Sequence, residues 1–593
     1  MRNIKRIFAL IITLFVISAF SRSTLYEHLE HKRGAYDHDN GFFTPFTPLE
    51  ATPHPVTRYY EVELSQVDLA PDGFVKKIFS INGQYPGTIL HANKGDNIHV
   101  TVKNNLGFPS VIHWHGMLQK GTTWNDGVTG QTQCSIPNGV SFVYNFSTGE
   151  QCGTYWYHSH THGQYMEGLR APLVIHDPDD PFRSYYDLEY VITMSDWYHG
   201  RISDLLKLRM APNYGGFNPI PDSGLMSGVG RYNCSAAPPN SQCRPNNPLA
   251  VYKVTSGKRY RLRLINMSGL VHYIFSVDNH PLKIIEADGQ YSRPVTVNKL
   301  PVAIGQRYSV IIEANQPVEN YWMRATIDDR CILKNQSTIN IDSAINYKVT
   351  GILRYDGADI ADPKSKEYPD QTEPCLSLDQ SLLKPYVPLQ VPGPATNEIK
   401  LTATFGVDSQ NIGRAFINNS TYAVDDQHPT LEKFVNNKVA LNQFPANQNI
   451  YSYDKWGETV DIIFINNNFA IHPIHMHGHS FFVLGTGSGI EVDKSKLNLI
   501  DPFPRDTFVL NSTSWAVFRY KATNPGVWTI HCHIEWHVEM GMVAQIIELP
   551  TALSKAEIPE SVTDLCRQQQ KSKRSRFSRR NRLYNIDMER IKV

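Results

Sequence analysis

The chain has 593 residues, with 57 Lys and Arg against 56 Asp and Glu and a formal net charge of +1. A chain of this length predicts three or four domains of ordinary size. Its nearly balanced charge gives no electrostatic case for binding nucleic acid, so we expect no nucleic-acid partner.

Residues 1–23 have the pattern of a secretory signal peptide. Arg2, Lys5 and Arg6 make a basic start, and the apolar run 7–20 follows them. A membrane anchor is the alternative, but this run is short for a bilayer. No other stretch, at the C-terminus or elsewhere, is long and apolar enough to span one. We therefore expect an exported protein that keeps no transmembrane anchor once the signal is removed.

Potential glycosylation sites also indicate export. Seven asparagines begin an N-x-[ST] triplet that contains no proline: Asn145, Asn233, Asn266, Asn335, Asn418, Asn419 and Asn511. One such triplet can arise by chance, whereas seven in an exported chain favour a glycoprotein. We expect a secreted, extracellular location.

Short segments in which apolar and polar residues alternate fill the middle of the chain, separated by Gly, Pro, Asn and Asp. Residues 60–64, 97–102, 260–265 and 308–312 are examples. Such strands at regular spacing predict an all-β fold built of β-sandwiches or Greek-key barrels. Only residues 204–210 suggest a short helix.

Turn-rich and proline-rich stretches divide the chain. We place a first domain at 50–180, which ends at the turn sequence 178–181. A second domain at 181–360 has no paired histidines, and we expect it to act as a spacer and as part of a substrate wall. A proline-rich linker, 384–394, leads into a third domain at 390–550.

The C-terminal residues 567–593 are polar and basic. A charge run of this kind is usually solvated. We expect a disordered tail here rather than a binding site for a polyanion.

Four His-x-His pairs are the strongest functional signal in the chain: His113 with His115, His158 with His160, His475 with His477, and His531 with His533. Side chains two residues apart on a strand point to the same face, so each pair offers two imidazoles in one direction. A single pair is usually a coincidence of core or surface histidines. Four pairs, in the first and last thirds of the chain, predict a metal centre.

Residues around the last pair narrow the choice of metal. Cys532 lies between the two histidines, and His537 and Met542 follow it. With His472, they complete the two-histidine, one-thiolate set with a weak axial methionine that is typical of blue copper. Zinc is the nearest alternative, but a structural zinc site uses four ligands in total and leaves most of these histidines unexplained.

The copper motifs resemble those of the multicopper oxidases, the family of laccases, ascorbate oxidases and fungal ferroxidases. The resemblance covers residues 59–550, and all four motifs occur in the family's order. Segments 113–124 and 538–542 are similar to the ascorbate-oxidase branch, whereas 155–160 and 195–199 are typical of fungal laccases and ferroxidases. The resemblance implies three cupredoxin-like domains, with a copper cluster between the first and the third.

The resemblance also implies four copper ions per chain and assigns their ligands. The assigned ligands are His472, Cys532 and His537 with axial Met542 for type 1 copper, His113 and His475 for type 2 copper, His115, His158 and His533 for one type 3 copper, and His160, His477 and His531 for the other.

The chemistry of O₂ agrees with this assignment. Reducing O₂ to water takes four electrons, whereas the reducing substrates of such an enzyme give one at a time. A copper held by Cys532 would accept single electrons, and the flanking His531 and His533 would carry them to the cluster over two peptide units. A simple copper-storage or electron-carrier protein would need only the type 1 site, so the eight further histidines argue against it.

Two acids match residues that donate protons during O₂ reduction in the family. They are Asp126, in the sequence Trp-Asn-Asp-Gly, and Glu535, between two copper ligands. The alternative for Asp126 is a turn residue, and the alternative for Glu535 is a structural partner of a ligand histidine.

The donor is expected to be a small organic reductant, ascorbate or a phenol, oxidised at His537. In this family an axial methionine such as Met542 accompanies lower redox potentials and so favours easily oxidised donors. Fe²⁺ is the alternative, for which Asp196 and Asp329 are the nearest matches to iron-binding carboxylates. We expect Tyr214 and Phe217 to form an aromatic wall beside a flat donor.

Eight cysteines are present, and an exported protein should form disulfides. Cys234 and Cys243 bracket a short loop that a disulfide would close. The family pattern implies a bond between Cys134 and Cys566. Cys331 with Cys375 is our third expected pair, which leaves Cys152 as a free thiol. Sequence alone does not fix this connectivity.

Overall fold

The computed structural model describes residues 41–50, 52, 54–215, 218–328, 331, 346–369, 375 and 377–571. The expected signal peptide, 1–23, lies outside the described residues. Asn335, Phe217 and Asp329 also lie outside them.

The first eight strands form two four-stranded sheets. Their bounds are β1 (Thr57–Leu69), β2 (Lys76–Ile81), β3 (Leu90–Asn93), β4 (Asn97–Asn104), β5 (His113–His115), β6 (Ser141–Ser147), β7 (Gly153–His158) and β8 (Arg170–His176). One sheet has the order β2–β1–β4–β6 and the other β3–β8–β7–β5. Both mix parallel and antiparallel pairs, for β1 runs parallel to β4 and antiparallel to β2.

The next eleven strands form a six-stranded and a five-stranded sheet. Their bounds are β9 (Leu188–Trp197), β10 (Ser223–Met226), β11 (Ala250–Val254), β12 (Arg259–Asn266), β13 (Tyr273–Val277), β14 (Leu282–Ala287), β15 (Gln290–Val297), β16 (Leu300–Val302), β17 (Arg307–Glu313), β18 (Asn320–Ile327) and β19 (Lys348–Tyr355). The sheet orders are β10–β9–β12–β17–β14–β15 and β11–β19–β18–β13–β16.

The last eleven strands repeat this arrangement. Their bounds are β20 (Asn397–Val407), β21 (Gly413–Ile417), β22 (Ile450–Tyr453), β23 (Thr459–Asn466), β24 (His472–Met476), β25 (Phe481–Ser488), β26 (Pro504–Arg505), β27 (Thr507–Leu510), β28 (Ser514–Lys521), β29 (Gly526–Cys532) and β30 (Val543–Glu548). The sheet orders are β21–β20–β23–β28–β25–β26 and β22–β30–β29–β24–β27.

Helices are short and join the strands. The α-helices are α1 (Ile202–Arg209), α2 (Thr430–Val435), α3 (Glu535–Glu539) and α4 (Pro550–Leu553), and residues 560–571 form a further helix. Turns of 3-10 helix occur at Thr123–Asn125, Arg183–Tyr185, Cys234–Ala236, Gln380–Leu382, Leu441–Gln443, Ala446–Gln448 and Lys494–Lys496. The helix expected at 204–210 is present as α1.

The prediction of an all-β fold is confirmed. Alternation produces it: on β4 the side chains of Ile98, Val100 and Val102 are buried while those between them face outward or lie half-buried. Strands covered on both faces lose this alternation, and every residue of β23 and β29 is buried. The hydrophobic cores therefore lie between paired sheets.

The prediction of a disordered tail at 567–593 was wrong for the first residues of that segment. Residues 567–571 continue the helix 560–571 instead of being disordered. Val562, Leu565 and Cys566 of this helix pack into the core of the first pair of sheets, which accounts for its order. The remainder of the tail, 572–593, lies outside the described residues. Within the described part of the chain, no helix is long and apolar enough to cross a membrane.

Two of the three expected disulfides are present, Cys134–Cys566 and Cys234–Cys243. The prediction for Cys331 and Cys375 was wrong, because both are free thiols in the structure. The side chains of Cys331 and Cys375 are in hydrogen-bonding contact, so the structure brings the expected pair together without a bond between the two sulfurs. Cys152 is a free thiol, as expected.

Candidate metal centre

Strand pairing brings the His-x-His pairs together. On β5 and β7, His113 lies opposite His158. On β24 and β29, His475 lies opposite His531, and Ile474 lies opposite Cys532. Because neighbouring side chains on a strand point to opposite faces, Cys532 faces away from the two histidines beside it. The strand β29 therefore serves two sites at once.

The first site, which we call the thiol site, consists of His472, Cys532 and His537. Nδ1 of His537 lies 3.2 Å from Nδ1 of His472 and 3.4 Å from Sγ of Cys532. All three side chains are buried, and burial lowers the pKa of His472 to about 3. Burial also raises the pKa of the Cys532 thiol.

Met542 is fully buried in the core that contains the thiol site. Its carbonyl accepts a hydrogen bond from the Cys532 amide at 3.3 Å, and its own amide donates to the carbonyl of His537 at 2.9 Å. These two backbone bonds tie Met542 to Cys532 on one side and to His537 on the other.

The outer ring nitrogens of the thiol site meet two asparagines. Nε2 of His472 donates to Oδ1 of Asn468 at 3.0 Å, and Nε2 of His537 lies 3.1 Å from Nδ2 of Asn218. The Phe405 ring lies 5.6 Å from the His472 ring and 5.0 Å from the His537 ring. Burial, with the charges of His472 and Arg209, holds the pKa of His537 well below its usual range.

The second site, which we call the histidine cluster, contains His113, His115, His158, His160, His475, His477, His531 and His533. Nε2 of His477 lies 3.2 Å from Nε2 of His531, and Nε2 of His533 lies 3.2 Å from Nδ1 of His115. Three of the rings, those of His160, His477 and His531, place one nitrogen each within 4.8 Å of one another.

The outer nitrogens of the cluster are held by the protein. Nδ1 of His113 donates to the Asp126 carbonyl at 2.7 Å, and Nδ1 of His475 donates to the Asp506 carbonyl at 2.8 Å. Nδ1 of His158 and of His531 likewise donate to backbone carbonyls. These bonds fix which nitrogen carries the proton and direct the other one inward.

Several inward nitrogens have no hydrogen-bond partner in the part of the chain that the structure describes. They are the Nε2 atoms of His113, His158 and His475, all buried. A buried polar atom without a partner is costly and calls for a missing group. Burial and the neighbouring histidines lower the pKa values of His158 and His475, so neutral imidazoles with free lone pairs face the centre.

The donor atoms fit copper. Two imidazoles and one thiolate match the protein ligands of a blue-copper site, and a wholly imidazole cluster also suits copper. The two sites share a direct covalent link, because Cys532 belongs to the thiol site and its neighbours His531 and His533 belong to the cluster. The Nδ1 atom of His531 additionally donates to the carbonyl of Cys532 at 2.8 Å.

Both expected proton donors are buried. Asp126 is fully buried, and its Oδ2 accepts a hydrogen bond from Nδ1 of His477 at 2.8 Å. Glu535 begins α3, and its carboxylate accepts the Gly163 amide proton at 2.8 Å. Burial, with the nearby Glu539 carboxylate, raises the pKa of Glu535 to about 8.

Sequence reasoning missed a third acid, Asp506. Its Oδ1 lies 3.5 Å from Nε2 of His115 and 3.7 Å from Nδ1 of His475. Arg307 donates two hydrogen bonds of 2.6 Å to the same carboxylate. The segment that carries Asp506 has no metal motif, and only the pairing of β24 with β27 brings it to the cluster.

The structure places Asp196 away from the position expected for a residue that binds the donor. Asp196 is fully buried, and its carboxylate accepts the backbone amides of Gly269 and Leu270 and contacts Arg170. It holds a loop and does not face solvent. The Tyr214 ring lies 5.9 Å from the guanidinium of Arg209, which bonds Asn218 next to His537.

Three family models, each described as multicopper oxidase, match the chain at residues 63–180, 189–358 and 420–552. Among curated proteins, Laccase-1 of Cryptococcus neoformans var. neoformans is 33% identical, over 89% of this chain and 86% of the relative. Laccase-4 of Trametes villosa is 34% identical, over 88% of this chain and 95% of the relative.

Solved structures give the same match. The laccase from Botrytis aclada has a TM-score of 0.77 and 32% identity, over 87% of this chain and 92% of that chain. Fet3p, described as a multicopper oxidase that functions in iron import, has a TM-score of 0.77 and 27% identity, over 87% of this chain and 95% of that chain.

Proposed function

The chain belongs to the multicopper oxidase family and is a copper-dependent oxidoreductase that uses O₂; we propose that it oxidises a small organic reductant, one electron at a time, and reduces O₂ to water. The observation that carries the proposal is the peptide link between the thiol site and the histidine cluster through Cys532. A protein that merely stored or carried copper would not need both sites joined in this way.

We assign four copper ions to the two sites. Type 1 copper would be held by His472, Cys532, His537 and Met542, type 2 copper by His113 and His475, one type 3 copper by His115, His158 and His533, and the other by His160, His477 and His531. Copper at these places supplies one-electron acceptance at the thiol site and O₂ reduction at the cluster. The assignment is supported by the buried imidazole nitrogens that have no hydrogen-bond partner among the described residues.

The protein's own groups orient the ligands and supply protons. Asp126 holds His477 through its carboxylate and His113 through its carbonyl, so it fixes two rings at once. Burial, with the nearby Glu539 carboxylate, raises the pKa of Glu535 and so favours its protonated form. We propose that both acids deliver protons to O₂ as it is reduced.

The donor is organic in this proposal. The laccases among the relatives support it, and Asp196 is buried where an iron-binding carboxylate should face solvent. Iron remains the second candidate, because Fet3p matches the fold as closely as the laccase does. Asp329, the other acid suggested for iron, lies outside the described residues.

We also propose that the protein is exported and glycosylated, as the signal pattern and the sequons suggest. Asn145, Asn233, Asn418, Asn419 and Asn511 are exposed. Asn266 is fully buried and donates to two backbone carbonyls, so we exclude it as a glycosylation site. Mass spectrometry of the secreted protein tests this set of sites.

The decisive experiment is O₂ uptake by the copper-loaded protein, with ascorbate, a methoxyphenol and Fe²⁺ compared at equal concentrations. We expect about four copper ions per chain, blue absorption, and the highest kcat/KM with an organic donor. Cys532→Ser should remove both the blue absorption and the uptake. One copper per chain would reject the proposal, and dominance of Fe²⁺ would replace the organic donor by iron.

A further inference from the structure

A buried arginine stands next to the outer face of the thiol site. Arg209 ends helix α1, and only 1% of it is exposed. Its Nε donates to Oδ1 of Asn218 at 3.3 Å, and its Nη2 contacts Sδ of Met540. Gly413 makes room for the guanidinium, because a Cβ at that position would lie 3.0 Å from Nη1. A fixed positive charge therefore sits one side chain away from His537.

Asn218 fills the space between Arg209 and His537. The Oδ1 end of its amide faces Arg209, and the Nδ2 end lies 3.1 Å from Nε2 of His537. In the arrangement with copper on Nδ1 of His537, the proton of that ring is on Nε2, which then becomes a donor. The amide is left between two N–H groups, and its single oxygen faces only one of them.

An anionic oxygen suits this place better than an amide does. It accepts hydrogen bonds from both His537 and Arg209, and a hydrogen bond between charged groups is stronger than one between neutral groups. A cation at the same place meets the guanidinium at close range, where like charges repel strongly.

We propose that the oxygen of an anionic donor, such as an enediolate, displaces the Asn218 amide between His537 and Arg209, so that the protein selects oxyanions over neutral and cationic donors. The inference rests on the proposed function, which puts copper on Nδ1 of His537. The donor loses one electron to the copper site, RO⁻ → RO• + e⁻. Because it arrives ionised, no base has to remove a proton from it.

Binding of redox-inert probes tests the proposal without turnover. Calorimetry on the copper-loaded protein compares benzoate with benzamide, which share a shape and differ in charge. We expect benzoate to bind more tightly, and Arg209→Gln to reduce its preference about tenfold or more, as for loss of a charged hydrogen bond. Lys207→Gln removes a charge from the same helix at a side chain that is 78% exposed, and it should keep the preference.

A second variant tests the site by filling the proposed anion position. Asn218→Asp places a carboxylate between His537 and Arg209, so it should abolish benzoate binding and raise KM for ascorbate more than for neutral hydroquinone. The blue absorption should persist, because no copper ligand changes.

The outcomes separate the two proposals. Equal binding of benzoate and benzamide, or equal effects of Arg209→Gln and Lys207→Gln, would overturn the anion site while the oxidase function stands. A wild-type protein without blue absorption and without O₂ uptake from any donor would overturn the proposed function itself.

Discussion

The role of each histidine in this protein depends on which atoms its two ring nitrogens contact. Both nitrogens of His280 meet protein atoms, the Asp278 carbonyl and the Tyr355 hydroxyl, each at 2.7 Å, so this ring is structural. His113 has one nitrogen held and the other buried without a partner among the described residues. This difference, which no sequence pattern records, separates a packed histidine from a candidate ligand.

His272 differs from both the structural histidine and the candidate ligand. Neither of its ring nitrogens has a hydrogen-bond partner among the described residues. Burial lowers its pKa to about 4, partly offset by Asp328. Since an unfolded histidine titrates near 6.5, only the unfolded state gains a proton as the pH falls from 6.5 towards 4. The folded protein therefore loses stability across this window, by up to ~3 kcal/mol in all.

We expect His272→Leu to remove this loss. The melting temperature of wild type should fall from pH 7 to pH 5 by more than that of the variant. His54→Leu, at an exposed position, is the matched control and should keep the wild-type dependence. Identical pH dependence in wild type and His272→Leu would contradict the prediction.

Glu535→Gln tests the proton role at the cluster. Glutamine keeps an oxygen for the Gly163 amide but has no acidic proton, so kcat should fall about 10²-fold, the usual range for a lost acid. Copper content and blue absorption should be unchanged. Glu61→Gln, at an exposed position on β1, is the control and should retain the wild-type turnover. A variant Glu535→Gln with wild-type kcat would make the residue structural.

At the scale of strands and turns, alternation allowed the copper motifs to be located from the sequence. A period of two put each His-x-His pair on one face, and the four pairs lie wholly or in part on β5, β7, β24 and β29. Alternation says nothing about which strands become neighbours. Asp506 and Arg307 were missed for this reason, since only tertiary pairing brings them to the cluster.

A tight turn between β16 and β17 also shapes the cluster. Gly305 has φ +80°, and a Cβ there would lie 3.0 Å from Cδ2 of His533 and 3.2 Å from Cε1 of His115. Gly305→Ala should therefore displace these two rings, lower the copper content and reduce O₂ uptake.

Gly257→Ala is the matched control for this turn. Gly257 has φ +81°, and nothing lies within 4 Å of its Cβ position. Both variants carry the backbone strain of alanine at positive φ, roughly 1–3 kcal/mol. We expect both to lower the melting temperature and only Gly305→Ala to lose copper, as metal analysis would measure. Equal copper content in the two variants would refute a role for this close approach.

At the scale of the whole molecule, the cluster joins the first and last sheet pairs, and buried ion pairs hold the middle sheets against the last. Arg307 binds Asp506, and Arg505 binds Asp288 at 2.7 Å. The family motifs predicted that distant parts of the chain share the metal site. They did not predict these arginines, because an isolated Arg or Asp in a sequence carries no sign of its partner.

The Cys134–Cys566 disulfide ties the helix 560–571 to the first pair of sheets across a sequence separation of 432, whereas Cys234–Cys243 spans a separation of 9. A cross-link restricts the unfolded chain more as its loop lengthens, and the chain-entropy relation gives the long loop about 3 kcal/mol more stabilisation than the short one. Replacing both cysteines of each pair by serine should therefore lower the melting temperature further for Cys134 and Cys566. Copper content should be unchanged in both double variants, since none of the four cysteines is an assigned copper ligand. A larger loss of stability from the Cys234 and Cys243 variant would show that local order in that loop outweighs the constraint on the unfolded chain.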